Sequence, residues 1–178
     1  MWIRAYTAHL LSIAAARITL LCHADRMKIA CLAQLVNVIA PILTSDTGAW
    51  RQTIFYPFLH ASTMGCGRVL NTTVLSPAYE CRITDSAPYL DAVVVEDEEN
   101  ETLTLFAVNQ SLEEEMELIC DLRQYAHYRM EKHIVLAHED MKAVNTEDRP
   151  DTVIPQGNGI SENDRGAFRA VPGPIFGT

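Results

Sequence analysis

Apolar and polar positions change rhythm near residue 65. Upstream, long apolar stretches cover residues 8–22, 24–43 and 50–64 without strand-like alternation. In the first, Leu10, Ile13, Ala14 and Arg17 fall at helical spacing, and Leu11, Ile18 and Leu21 continue an apolar face. That spacing predicts a core-packing helix. Arg4 ahead of an apolar stretch also fits a secretory signal, against which Arg17 interrupts the run. The uncharged run from Leu10 to Ala16 is far too short to cross a bilayer.

The second stretch, ADRMKIACLAQLVNVIAPIL, has Asp25 near its start, where a carboxylate suits the positive end of a helix. Its apolar positions run nearly all round, which predicts burial on most sides inside a larger body. Pro41 marks the expected break. SDTGAW reads as a loop, and RQTIFYPFLHAS as a further helix interrupted by Pro57.

Past Gly65 the pattern turns strand-like. GRVLNTTVL, PYLDAVVVED, ETLTLFAVN, EMELICDL and EKHIVLAH are short, rich in Val, Thr, Ile and Leu, and separated by polar turns. Two apolar runs flanking Glu98, Glu99 and Asn100 predict a hairpin there. Several such strands predict an antiparallel β-sandwich, followed by a loop-like tail from Asn145. Helices followed by strands predict α+β, or two separate pieces.

Composition narrows the class. With 178 residues, 48% apolar and 21% charged, the chain can bury a real core and is not disordered. A net charge of −9 argues against nucleic acid as a partner, because that needs a clustered basic face. Five cysteines, an odd number with no CxxC pair, suggest neither a disulfide framework nor a zinc site. Buried or partly buried free thiols in a reducing compartment are expected.

Few residues carry recognisable chemistry. GCGR around Cys66 lacks the rest of a phosphate loop, and no G-x-S-x-G or H-E-x-x-H occurs. His127, His133, His138, Glu139 and Asp140 resemble a metal cluster, but strand geometry would point His133 and His138 to opposite sides. No metal or cofactor is expected. Glu96, Asp97, Glu98, Glu99 and Glu101, then Glu113, Glu114, Glu115 and Glu117, lack the spacing of a calcium loop and read as a solvated, charge-blunted sheet edge. Trp50, Phe55, Tyr56 and Phe58 fit either sugar stacking or, more commonly, a packing seam.

The run HADRMKIACLAQLVNVIAPILT, followed by GAWRQTIFYPFLHAS, resembles a segment of the family 51 glycoside hydrolases, the intracellular-type α-L-arabinofuranosidases. NTEDRPDTVIP resembles the region before that family's final strand, and SPAYE with the PYLDAVVVED hairpin resembles its C-terminal β-sandwich. The resemblance covers about residues 22–160. It implies a mainly β chain: residues 1–62 as helical remnants of a (β/α)8 barrel, and residues 63–178 as a jelly-roll-like antiparallel β-sandwich. It also implies a cytoplasmic location and a homo-oligomer.

The implied reaction is retaining hydrolysis of terminal α-L-arabinofuranosyl groups from arabinan, arabinoxylan and their oligosaccharides. Retention needs two carboxyl groups about 5–5.5 Å apart. The resemblance places both family glutamates on earlier barrel strands, and residues 1–64 hold only Asp25 and Asp46 as carboxylates. No catalytic residue is therefore assigned here, and the missing barrel portion becomes the expected partner. The A-Q-L-V-N motif matches a glutamine that hydrogen-bonds arabinose in the family, which falls on Gln34; an amide offers both donor and acceptor. Asn37 and Trp50 line up nearby.

Two stretches depart from the family pattern. MWIRAYTAHLLS looks unrelated to the usual acidic helix entry, and RAVPGPIFGT replaces the expected final apolar strand. Its prolines and glycines argue against a regular central strand. An alternative class is a non-catalytic accessory sandwich that binds glycan or protein, which would need exposed aromatics at alternating strand positions. Tyr79, Tyr89, Phe106, Tyr125, Tyr128, Phe168 and Phe176 are scattered instead.

Overall fold

The computed structural model describes residues 7–111, 116–122, 125–157, 162–163 and 167–170. The chain runs α1 (Thr7–Cys22), β1 (Ile42–Thr44), β2 (Ala49–Arg51), α2 (Phe55–Met64), β3 (Arg68–Val69), β4 (Ala78–Tyr79) and β5 (Ala87–Pro88). It continues with β6 (Leu90–Asp97), β7 (Thr102–Asn109), β8 (Leu118–Asp121), β9 (Ile134–Val135), β10 (Gln156–Gly157), β11 (Glu162–Asn163) and β12 (Ala167–Ala170). The described strands are antiparallel and form small sheets ordered β1-β2, β10-β9, β11-β12-β8, β3-β6-β7 and β4-β5. The fold is mainly β, as the pattern past residue 65 predicts.

The longest ladder is the β6–β7 hairpin, registered from Leu90↔Asn109 to Asp97↔Thr102. Its turn falls where Glu98, Glu99 and Asn100 predict it. Asp97 Oδ1 accepts the backbone N–H groups of Glu99 and Asn100, both at 3.1 Å, so a side chain closes the turn. Helix α1 lies on this hairpin. Ile18 packs with Val93 and Val108, and Leu11, Ala14, Leu21, Val69 and Phe106 surround them. The core-packing expectation for the first apolar stretch holds, and Leu10 is buried as well. Residues 1–6 lie outside the described part.

Five expectations need correction. The stretch 24–43 forms no second helix. After hydrogen-bonded turns at residues 23–27 the chain is irregular to Pro41, with one parallel bridge, Val36 to Ile42. An all-round apolar run fits a buried strand as well as a buried helix, and this one meets β1 only through that single bridge and the bonds of Asn37. Ile29 is 81% exposed and Leu35 67% exposed, with Val36, Val38 and Ile39 also on the surface.

Pro57 does not interrupt α2. It stands in the helix's first turn, where a backbone N–H has no partner to lose. SDTGAW is only partly a loop, because Ala49 and Trp50 already pair in β2.

Glu96 is not a solvated edge residue. It is 8% exposed, because β3 lies antiparallel to β6 with Arg68 opposite Glu96. Arg68 Nη2 donates to Glu96 Oε2 at 2.5 Å and lies 3.1 Å from Glu98 Oε1. Asp97, Glu98, Glu99 and Glu101 remain at the turn, and residues 112–115, with Glu113, Glu114 and Glu115, lie outside the described part.

The thiols, finally, are free, but Cys22, Cys31, Cys66 and Cys81 are exposed and Cys120 is half-buried. All but Cys22 and Cys120 sit in irregular connections, where backbone runs over the surface. At the C-terminal end, Arg169 and Ala170 belong to β12, which pairs with β8 from Ala167↔Asp121 to Ala170↔Leu118. The prolines beyond Ala170 lie outside the described residues.

Candidate functional site

Gln34 sits in the irregular stretch before β1. It is exposed and has a left-handed backbone, φ 56°. Asn37 (φ 61°) and Val38 (φ 60°) share that conformation. Left-handed backbone costs a residue with a Cβ about 1–2 kcal/mol, and for a β-branched Val it is a real outlier. Something outside the loop must impose it.

That support is visible at Asn37. Its Oδ1 accepts the Thr44 backbone N–H at 2.8 Å, and its Nδ2 donates to Thr44 Oγ1 at 2.8 Å. The Asn37 backbone N–H donates to Ile42 O at 2.8 Å, and its carbonyl accepts from Ala40 N at 3.0 Å. Gln52 N donates to Pro41 O at 2.7 Å. The loop is thereby pinned on β1 and, through Pro41, on Gln52 just past β2. Sequence reasoning singled out Asn37, but nothing in the pattern indicated Thr44 as its partner.

Trp50 lies across from Leu43 in that hairpin and is half-buried. Its Nε1, and both polar atoms of Gln52, are shut away from solvent without a hydrogen-bond partner among the described residues. Gln52 is 1% exposed, and a buried amide left unsatisfied is costly. Gln52 escaped notice in the sequence because a polar residue beside TIFYPF reads as a boundary rather than as core. The structure thus places Asn37 and Trp50 on or against one hairpin and leaves Gln34 exposed on the loop beside it.

The far side of the hairpin is held by the segment 143–153. Ser45 Oγ donates to Glu147 Oε1 at 2.6 Å, and Thr47 Oγ1 donates to the same oxygen. These hydroxyls hold the Glu147 carboxyl below its ordinary range, Ser45 contributing most. Asn145 bonds Arg51 O at 3.0 Å.

The other side chains singled out are spread apart. Among the described residues no group of three or more His, Cys, Asp or Glu converges as a metal site. His138 Nδ1 accepts the Asp140 N–H at 3.0 Å, and His127 packs edge-on to Tyr128. Phe55 and Tyr56 meet edge to face, and Phe58 lies under the Arg17 guanidinium. These rings serve packing. Burial pushes the Arg17 guanidinium down, with Cys31 nearby opposing that shift. No described helix is long and apolar enough to cross a membrane.

A mainly β body that holds an exposed, left-handed loop against a clamped hairpin defines a β-rich domain with a polar side chain offered outward. The family model described as the alpha-L-arabinofuranosidase C-terminal domain matches residues 7–172, and the chain belongs to that family. An intracellular exo-alpha-(1->5)-L-arabinofuranosidase 1 of Bacillus subtilis (strain 168) is 54% identical over 150 residues, covering 82% of this chain and 30% of that protein. An exo-alpha-(1->6)-L-arabinofuranosidase of Bifidobacterium longum is 39% identical over 165 residues, covering 90% of this chain and 31% of its own. Among solved structures, a family 51 alpha-L-arabinofuranosidase from Bifidobacterium longum superposes with a TM-score of 0.89 at 35% identity, covering 97% of this chain and 33% of that one. The chain thus spans about a third of the length of these relatives.

Proposed function

We propose that this chain is the C-terminal region of an α-L-arabinofuranosidase that removes terminal non-reducing α-L-arabinofuranosyl residues from arabinan or arabinoxylan with retention. Residues 1–62 are then the end of a (β/α)8 barrel, and residues 63–178 a jelly-roll-like sandwich. Gln34 contacts the sugar, and both catalytic glutamates belong to the barrel portion outside this sequence. The protein works in the cytoplasm as a homo-oligomer. The relatives' names, two of which print the word intracellular or exo-acting specificity, support this setting, as do exposed thiols that a reducing compartment preserves.

The single observation that carries the reading is the loop of Gln34. Its amide is exposed on a backbone fixed by Asn37 and Thr44, and the apolar side chains Ile29, Leu35, Val36, Val38 and Ile39 of the same stretch lack cover. An uncovered apolar strip of this kind marks an interaction surface, here for the rest of the barrel. The fixed amide supplies the donor and acceptor that a sugar hydroxyl needs.

The test is hydrolysis of an aryl α-L-arabinofuranoside. The 178-residue chain alone should show no turnover. Co-expression with the N-terminal two-thirds of the Bacillus subtilis relative should give turnover, and Gln34→Ala should weaken it through KM. Turnover by the chain alone that survives repurification would overturn the proposal.

A further inference from the structure

The segment 143–153 has no regular structure and lies about a hundred positions from Gln34 in sequence, yet it is tied to the hairpin that holds Gln34's loop. Asn145 is 1% exposed, and its Nδ2 donates to Arg51 O and Val153 O, both at 3.0 Å. Its Oδ1 accepts the Val153 N–H at 2.8 Å. Glu147 Oε1 takes hydroxyl protons from Ser45 and Thr47 in the hairpin turn. Ser45 Oγ in turn accepts the Thr47 and Gly48 N–H groups, both at 3.1 Å. Thr44, next to Ser45, carries both side-chain bonds to Asn37.

Force balance explains why such a chain of bonds exists. The loop keeps Gln34, Asn37 and Val38 in an unfavourable backbone region, and only a stiffer neighbour can hold it there. That neighbour is a two-stranded hairpin of three-residue strands, which is marginal by itself. It needs a brace of its own, and the described residues supply one from the 143–153 segment.

We infer that Glu147, acting through Ser45, Thr47 and the β1–β2 hairpin, is a positioning residue for the Gln34 loop. The stretch NTEDRPDTV is then a strut that braces the hairpin behind the sugar-facing loop. Its relevance to sugar binding rests on the proposed role of Gln34. The mechanical coupling does not.

Hydrogen–deuterium exchange on the 178-residue chain tests it. Glu147→Ala should speed exchange several-fold in residues 143–148 and also in 35–48, while 90–109 stay unchanged. Glu147→Gln keeps an acceptor oxygen and should restore protection in both places. Thr44→Val should release 35–41 but leave 143–148 protected, which fixes the direction of coupling. Thr152→Ala is the control, because among the described residues that hydroxyl bonds Arg149 O within its own segment, and it should leave 35–48 unmoved.

The inference is overturned if Glu147→Ala frees 143–148 without moving 35–41, or if exchange rises equally across 90–109. No sugar enters this readout. If the coupling is found but the recombined protein shows no arabinofuranoside hydrolysis, the strut stands and the reading of Gln34 falls.

Discussion

The Asn145 side chain donates to the carbonyl of Arg51, 94 positions earlier, at 3.0 Å. The same amide closes on Val153 through its N–H and its carbonyl. One buried side chain therefore satisfies three backbone groups from two distant parts of the chain. Replacing it by Leu leaves those groups buried without partners, at about 1–3 kcal/mol for each group left unsatisfied. Asn145→Leu is expected to cost about 3 kcal/mol in urea unfolding, and a loss under 1 kcal/mol would show that water replaces the amide.

Gly67 has φ +129°, and a Cβ there would lie 2.2 Å from the Glu96 carbonyl oxygen. Backbone strain and a backbone clash act together, since β3 must approach β6 for Arg68 to reach Glu96. Gly67→Ala should destabilise the chain by about 3 kcal/mol or more. It should also raise the exchange of Val94 to Glu96 amides. An unchanged urea midpoint would contradict the geometry.

Val38 is the opposite case. It is exposed with φ 60°, so its side chain pays left-handed strain without burial in return. Glycine removes strain of about 1–2 kcal/mol but restores unfolded-state freedom worth about 0.5–1 kcal/mol. Val38→Gly should thus stabilise by about 0.5–1 kcal/mol, and Val38→Ala should give no gain. Thermal unfolding of both variants checks the sign.

Glu147 predicts a pH dependence. Its carboxyl is held below the ordinary range by the hydroxyls of Ser45 and Thr47. A group whose folded pKa is depressed adds stability above its unfolded pKa, near about 4.3 for glutamate. That contribution fades as pH falls through the lower, folded value. Asp97 behaves alike at the hairpin turn, where the Asn100 side chain holds it low. Protection of residues 44–48 should therefore weaken on acidification from neutral pH to below the glutamate range in the parent chain. In Glu147→Gln that part of the dependence should vanish.

The sequence carried the β-rich half because alternation and turn chemistry are local. The β6–β7 hairpin could be read from two apolar runs around Glu98, Glu99 and Asn100, and the turn is local enough that the Asp97 side chain, two or three residues away, closes it. Helix α1 was legible for the same reason, with Ile18 and Leu10 on its inward face. Glu96 was misread, because its neutralising partner, Arg68, stands 28 positions earlier. The stretch 24–43 was misread because continuous apolarity does not distinguish a strand from a helix.

Gln34 was found through a motif, whereas its left-handed backbone and its clamp were not. By itself the sequence determined a core-packing helix within residues 8–22, the antiparallel character of the second half and membership of the arabinofuranosidase C-terminal family, all of which rest on short-range spacing or on matching residues. Tertiary structure alone decided that Arg68 buries Glu96, that Asn37 meets Thr44, and that Asn145 and Glu147 reach back to the β1–β2 hairpin. Hydrogen bonds between distant residues leave no periodic mark in a sequence. They depend on where the folded backbone brings two polar groups within reach of each other.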